Sequence, residues 1–241
     1  AYFFLNIQNR TVNYVDTINN LNQSYSQNIT SFKDFKYIEE DKVNLLKSGS
    51  QWLGDIFDLD NNKNYSFSFN NIGDSSHVTI KLVSKSNFST SYFNLSLFGQ
   101  NHSIAINSTG SSYYSPVGRK VLKNFDFVNN PGQSFNINLE YDNNGSPSSK
   151  GYLDYIEVNC DRELYVDNQQ FSFFMPAVSS LDSWSKINLS NSDNVNMIWD
   201  ITDLSNVKDV KFTKNGSDLY FISKLDSNRH FIAISGSNFE T

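Results

Sequence analysis

Gly151-Tyr152-Leu153-Asp154-Tyr155-Ile156-Glu157-Val158-Asn159-Cys160, fed by the earlier run Phe135-Asn136-Ile137-Asn138-Leu139-Glu140-Tyr141, decides the fold class. In the earlier run the apolar side chains of Phe135, Ile137, Leu139 and Tyr141 alternate with polar ones, the period of a strand buried on one face. The later run carries apolar weight on both faces. Ile156, Val158 and Cys160 fall on one side and Leu153 and Tyr155 on the other, which suits an inner strand covered from both directions. Between the two runs, Asp142-Asn143-Asn144-Gly145-Ser146-Pro147 holds residues that tolerate positive φ or fix a turn. The runs are therefore expected to pair as antiparallel neighbours. Asp154 is expected on the side of Ile156 and Val158, as a structural carboxylate with backbone N–H donors or Arg162 as its partner.

Outward from this pair the text remains β. Tyr65, Phe67 and Phe69, then Val78, Ile80 and Leu82, then Phe93, Leu95 and Leu97 each alternate with polar residues, and the connections are rich in Asn, Gly and Ser. Ile104 and Ile106, then 121–128, continue the pattern. After Cys160, Leu164-Tyr165-Val166 and Phe171-Ser172-Phe173-Phe174 read as a hairpin around Asp167-Asn168, followed by strands near 196–201, 207–212, 219–222 and 231–234. The expected fold is all-β: a jelly-roll-like, galactose-binding-like two-sheet antiparallel sandwich over 58–241, with an immunoglobulin-like strand order as the second reading. Ahead of it, residues 1–57 read as an arm, opening with the strand-like Tyr2–Ile7, plus one short helix over Ser31–Lys47 with Gly49 as its stop.

Composition narrows the function. The 241 residues are 38% hydrophobic and 15% aromatic, with a net charge of −6, and the sequence pI is near 5.0. Such a chain builds a large core and offers no basic stripe to track phosphates, which argues against nucleic acid as a partner. No apolar run reaches the roughly 20 residues that span a bilayer as a helix, so no transmembrane segment is expected. Cys160 is the only cysteine, so no intrachain disulfide forms, and at the end of an apolar strand it reads as a buried small hydrophobe.

Motifs for chemistry are sparse. His77, His102 and His230 stand apart with no metal-ligand or nucleophile-pairing spacing. Asp58-x-Asp60-x-Asn62-x-Asn64 opens like a calcium loop, but Lys63 stands where an EF-hand needs Gly and Phe69 where it needs Glu. No phosphate loop, Gly-x-Ser-x-Gly elbow or His-Glu-x-x-His occurs. Catalytic, metal and cofactor sites are accordingly none. The remaining candidates are structural: Asp154, and the corner Trp199-Asp200-Ile201-Thr202-Asp203, where Trp199 is expected to be buried while Asp200 and Asp203 accept hydrogen bonds from turn N–H groups. A separate reading takes Tyr113, Tyr114 and Trp184 as platforms on which a carbohydrate stacks.

Several motifs together carry a resemblance. Ser31-Phe32-Lys33-Asp34-Phe35 with 40–49, then Trp52-Leu53-Gly54 and Phe57, then 151–158 with Arg162-Glu163-Leu164, then Ile198-Trp199-Asp200-Ile201-Thr202-Asp203 with Val207 and 230–234 occur in consistent order from about Tyr2 to Phe239. This order resembles the β region upstream of the catalytic domain in the PorU-like sortases of the type IX secretion system, a gingipain-type cysteine peptidase family. In that family the catalytic His and Cys belong to a domain that would begin after Thr241, and Cys160 matches a strand position, so no catalytic role carries over. The resemblance implies an exported protein at the surface of a Gram-negative bacterium. It implies as partners the chain's own downstream peptidase domain and other outer-membrane proteins of the system. The full-length enzymes remove the C-terminal sorting domain of cargo and join the new end to lipopolysaccharide.

Overall fold

The computed structural model describes residues 15–46, 51–128, 134–178 and 184–236. Among them the chain forms strands and no helix. In chain order the strands are β1 (Asp16–Ile18), β2 (Gln27–Ile29), β3 (Ser31–Glu39), β4 (Ile56–Phe57), β5 (Asn62–Phe67) and β6 (Ile72–Lys85). There follow β7 (Ser91–Leu97), β8 (Gln100–Ile106), β9 (Arg119–Val128), β10 (Phe135–Asp142), β11 (Lys150–Glu163) and β12 (Gln170–Met175). The last six are β13 (Trp184–Leu189), β14 (Val195–Asp200), β15 (Lys208–Val210), β16 (Thr213–Asn215), β17 (Asp218–Lys224) and β18 (Arg229–Ser235).

The chain divides into two compact units, a continuous one over Asp34–Arg162 and a split one made of Ala1–Lys33 and Glu163–Thr241. This differs from the expected division into 1–57 and 58–241. The physical reason lies in β1 and β2, which are no free arm: each adds to a sheet of the C-terminal strands as a parallel edge partner, β1 on β15 and β2 on β13. In the split unit the sheet orders are β1-β15-β14-β18-β12 and β16-β17-β13-β2. Its core gathers Phe171, Phe173, Ile187, Ile198, Phe221 and Phe231. The expected hairpin around Asp167-Asn168 does not form, because β12 pairs with β18 and Tyr165 bridges to Ser190.

The continuous unit has one sheet of order β5-β10-β7-β8 and another of order β3-β11-β6-β9, with β4 also on β11. The two decisive runs, β10 and β11, therefore do not pair. β10 lies between β5 and β7, whereas β11 runs antiparallel to β6, and the two meet face to face across the core. Gly151 shows how closely. A Cβ built there would lie 2.5 Å from Phe93 Cζ and 2.6 Å from Tyr141 Cδ2, so only a glycine lets these rings of the opposite sheet close down on the β11 backbone.

The two-faced apolar pattern of β11 has a single cause. Leu153 pairs with Leu82 and Tyr155 with Lys81, so Asp154 is the extra residue of a β-bulge. The bulge shifts the alternation by one. Leu153, Ile156, Val158 and Cys160 consequently all enter the same core, while Tyr152 packs with Leu53 and Val83 in a smaller cluster.

The helix expected over Ser31–Lys47 is a correction. Its first nine residues form β3, placed at the edge of the sheet next to β11. Phe32, Phe35, Tyr37 and Ile38 all favour strands, and pairing with the long β11 outweighs a weak helical period. Val43 then bridges to Leu53. The expected stop at Gly49 and the strand-like Tyr2–Ile7 lie outside the described residues.

Candidate binding surface

Asp154 is 6% exposed, and its partner is Lys81, whose Nζ is 2.8 Å from Oδ2, rather than Arg162, which pairs with Asp34 at 2.7 Å. Lys81 alternates with the core residues Ile80 and Leu82. Asp154 therefore lies on the face opposite Ile156 and Val158, as the bulge requires. The approach of Lys81 is that of an ion pair, off the line of a hydrogen bond. The Asp154 carboxylate beside it still raises the Lys81 pKa above the ordinary lysine value.

At the second candidate corner, Asp200 is buried. Its Oδ1 accepts the Thr202 N–H at 3.0 Å, and its Oδ2 lies 3.5 Å from Arg229 Nη1. Thr202 Oγ1 in turn accepts the His230 N–H at 3.0 Å. Asp203 accepts from the Ser205 N–H at 2.9 Å and the Ser205 hydroxyl at 2.6 Å, and these bonds lower its pKa. Trp199 is half-buried rather than buried: β14 is paired with β18, and the ring lies on the face where Ile201, Ile232 and Ile234 form a thin cluster. These contacts tie β14 and β18 to the following turn.

His77 Nδ1 is 2.7 Å from Asp126 Oδ1, His102 packs on the Phe125 ring at 4.5 Å, and His230 Nε2 meets Ser172 Oγ at 2.7 Å. Burial lowers the His230 pKa, with the charge of Asp200 acting in the other direction. Cys160 is 2% exposed, inside the core of the continuous unit. In the loop that opens like a calcium site, Asp58 pairs with Lys150 and Asp60 with Lys63. Asn62 and Asn64 both accept from Asn138. Among the described residues, no group of three or more His, Cys, Asp or Glu side chains is arranged to hold a metal ion.

A different surface of the continuous unit draws exposed groups together. β8 and β9 are edge strands of the two sheets, and the loop 107–118 joins them. Between them runs an open groove of about 420 Å³, lined by Ala105, Ile106 and Asn107 on one side and by Gly118, Arg119 and Lys120 on the other. The loop is held in shape. Buried Thr109 donates its N–H to Ser86 O at 2.7 Å and its hydroxyl to Asn87 Oδ1 at 3.1 Å, and Arg119 Nε donates to Ser108 O at 2.6 Å. Gly110 adopts φ +85°, a left-handed conformation that favours glycine, just before a turn closed by the Ser115 N–H on Ser112 O.

At the tip of this fixed loop Tyr113 and Tyr114 are 95% and 91% exposed, with ring centroids 5.4 Å apart and planes at 86°. Exposing two large rings side by side forgoes their burial energy, so their place on an ordered loop needs a reason other than packing. Of the three aromatic platforms considered from sequence, Trp184 is half-buried in β13 of the split unit. What sequence reading missed is the groove beside the tyrosines with Arg119 and Lys120, because only the fold places β8 and β9 at neighbouring edges. The split unit has a groove of its own, about 540 Å³, whose lining includes Asp167, Asn168, Asn191, Asp193, Asn194 and Asn196.

No protein-family model matches the sequence, and no curated protein matches it. Among solved structures the fold is similar to dimeric latent PorU from Porphyromonas gingivalis, with a TM-score of 0.73 over 91% of this chain at 16% identity. The match shows a PorU-like fold. This chain spans 22% of the length of that PorU structure. Carbohydrate-binding modules also align, CBM36 in complex with calcium and xylotriose at a TM-score of 0.33 and CBM35 from Cellvibrio japonicus Abf62 at 0.33, each over about half of this chain. No helix among the described residues is long and apolar enough to cross a membrane.

Proposed function

We propose that this chain is a non-catalytic β module of a PorU-like cell-surface sortase of the type IX secretion system. It positions the cysteine peptidase that processes the C-terminal sorting domains of secreted cargo. The observation that carries this reading is the likeness to PorU across 91% of the chain, supported by the order of the motifs at 31–57, 151–164 and 198–234. On this reading the chain works at the surface of the outer membrane, against its own downstream peptidase domain and other outer-membrane proteins of the system. On this reading its contribution is geometric, in keeping with Cys160 packed in the core of the continuous unit.

The test compares three proteins on a sorting-domain peptide: this chain, the longer gene product that includes the sequence after Thr241, and that product with residues 1–241 removed. Cleavage is expected from the longest form alone at full rate, with the truncated form slowed. Cleavage by the 241-residue chain itself, or a gene that encodes no Cys–His peptidase domain, would sink the proposal.

A second reading is favoured by one observation, the exposure of Tyr113 and Tyr114 on an ordered loop. It takes this surface as a carbohydrate-binding site, with the two rings as the stacking elements.

A further inference from the structure

We infer that the surface formed by Tyr113, Tyr114 and the groove between β8 and β9 binds an acidic glycan, one bearing carboxylate or sulfate groups. The inference rests on the carbohydrate-binding reading and adds the charge class of the ligand. Its ground is the distribution of cations. In most of the molecule a lysine or arginine has a carboxylate or ring partner: Lys63 with Asp60, Lys81 with Asp154, Lys208 with Asp16, Lys186 over the Tyr220 ring at 4.1 Å. Arg119, Lys120 and Lys123 differ. All three are exposed on β9, within five residues of one another, and among the described residues no carboxylate pairs with them. The residues opposite them in β6 are Ser84, Val83 and Ile80, which offer no countercharge.

Like charges so close together repel, and a chain of net charge −6 does not gather them by average composition. Arg119 and Lys120 line an open groove with no carboxylate in its lining, and with Lys123 further along the strand they make a local positive field suited to an anion. Strand alternation puts Arg119 and Lys123 on the side of β9 that carries Val121, and Lys120 on the other. Arg119 and Lys120 line the groove and Lys123 lies further along β9, so the cations are spread along the strand instead of forming a single pocket for one small ion.

The tyrosines supply the second half of the argument. Rings at 86° form a corner and not a flat platform, so they suit a single saccharide chain or its end rather than a crystalline polymer surface. Each ring offers an apolar face to the C–H side of a sugar and a hydroxyl at its tip for hydrogen bonding. Asn107 adds an amide donor and acceptor on the groove wall. Because the loop is already hydrogen-bonded in place, little ordering cost falls on binding. A groove of about 420 Å³ is within the usual range for small-ligand sites.

The test is isothermal titration of the full 241-residue chain with hexagalacturonate and with neutral xylohexaose at low and at high salt. Alongside it run a Tyr113→Ala/Tyr114→Ala variant, a Lys120→Gln/Lys123→Gln variant, and co-sedimentation with phosphatidylglycerol vesicles. The expected result is hexagalacturonate binding that falls about tenfold without the tyrosines and several-fold, on the order of one charge contact each, without the lysines or at high salt. Binding of xylohexaose as tight as that of the acid, still dependent on the tyrosines, overturns the charge inference and leaves the carbohydrate reading standing. Binding of neither sugar overturns both. Hexagalacturonate binding that ignores the tyrosines, or capture by vesicles with no sugar binding, overturns the site.

Discussion

The two units differ in how completely they pair their cations. In the split unit each described lysine and arginine has a partner: Lys208 on Asp16, Lys211 on Asp209, Lys224 and Arg229 on Asp226, Lys186 on the Tyr220 ring, and Lys214 on the Asp193 carbonyl. In the continuous unit some cations are paired with equal care, as Lys81 is with Asp154 and Arg119 with the Ser108 carbonyl, while Lys120 and Lys123 on β9 are left open. The difference teaches which charges serve folding and which are available to a ligand. A charge with a partner in the folded chain has its role accounted for by stability, and one without it has not.

The largest effects should come from the cores, where the units ought to behave alike. Ile156→Ala in the continuous unit and Ile198→Ala in the split unit each remove a fully buried side chain, and each is expected to cost about 2–4 kcal/mol. Urea unfolding gives the cost, and hydrogen exchange shows which strands lose protection. Little change at Ile156 would refute the register that the Asp154 bulge imposes. Gly151→Ala works in the opposite sense, by overfilling. With Phe93 and Tyr141 at 2.5–2.6 Å from the new carbon, rings and backbone must both shift, and a cost of about 1–3 kcal/mol follows.

Next come the buried carboxylates, one from each unit. Asp200→Asn keeps the shape but weakens the bond from the Thr202 N–H and removes the ion pair to Arg229, for about 1–2 kcal/mol. Lys81→Gln leaves Asp154 buried without its cation, for about 1–3 kcal/mol. Thermal and urea midpoints check both. Equal stability of the Lys81 variant and the parent would break the comparison, because it would make a paired cation no more structural than an open one.

A smaller effect separates the units by pH. Burial lowers the folded-state pKa of His230 below 6.5, so the unfolded chain takes up a proton first as the solution is acidified. That contribution is full above the unfolded pKa and is lost as pH falls through 6.5 towards the folded value. The thermal midpoint should therefore drop between about pH 7.5 and 5.5, and His230→Gln should flatten that part of the curve. An unchanged slope in the variant would assign the drop to another group.

Much of this organisation was legible in the sequence. The period-2 runs at 65–69, 78–82, 93–97 and 135–141 identified strands, because an inward face must be apolar and an outward face need not be. Partners were not legible. That Phe135–Asp142 and Lys150–Glu163 face each other rather than pair depends on contacts such as Gly151 against Tyr141, which no local pattern encodes. The bulge at Asp154 looked like a strand with two apolar faces, and β3 looked like a helix, since a nine-residue edge strand lacks strict alternation. The exposed tyrosines were visible as residues but not as a site. Their meaning comes from β8 and β9 ending at neighbouring edges, a long-range result of strand order.

The smallest expected effect sharpens the comparison most. Lys120→Gln combined with Lys123→Gln removes two charges that no carboxylate pairs among the described residues. No hydrogen bond or ion pair is lost, both side chains are exposed, and repulsion between neighbouring cations is relieved. Stability should therefore change by less than about 0.5 kcal/mol, and any shift should be upward. The measurement is the thermal midpoint at low salt, where repulsion is least screened, repeated at high salt, where the small gain should vanish. A clear fall in the midpoint would mean that these lysines have structural partners, and the β9 stripe would then belong to folding like the cations of the split unit. A midpoint held or raised, in a variant that binds hexagalacturonate more weakly, would separate the two uses of charge within one sheet.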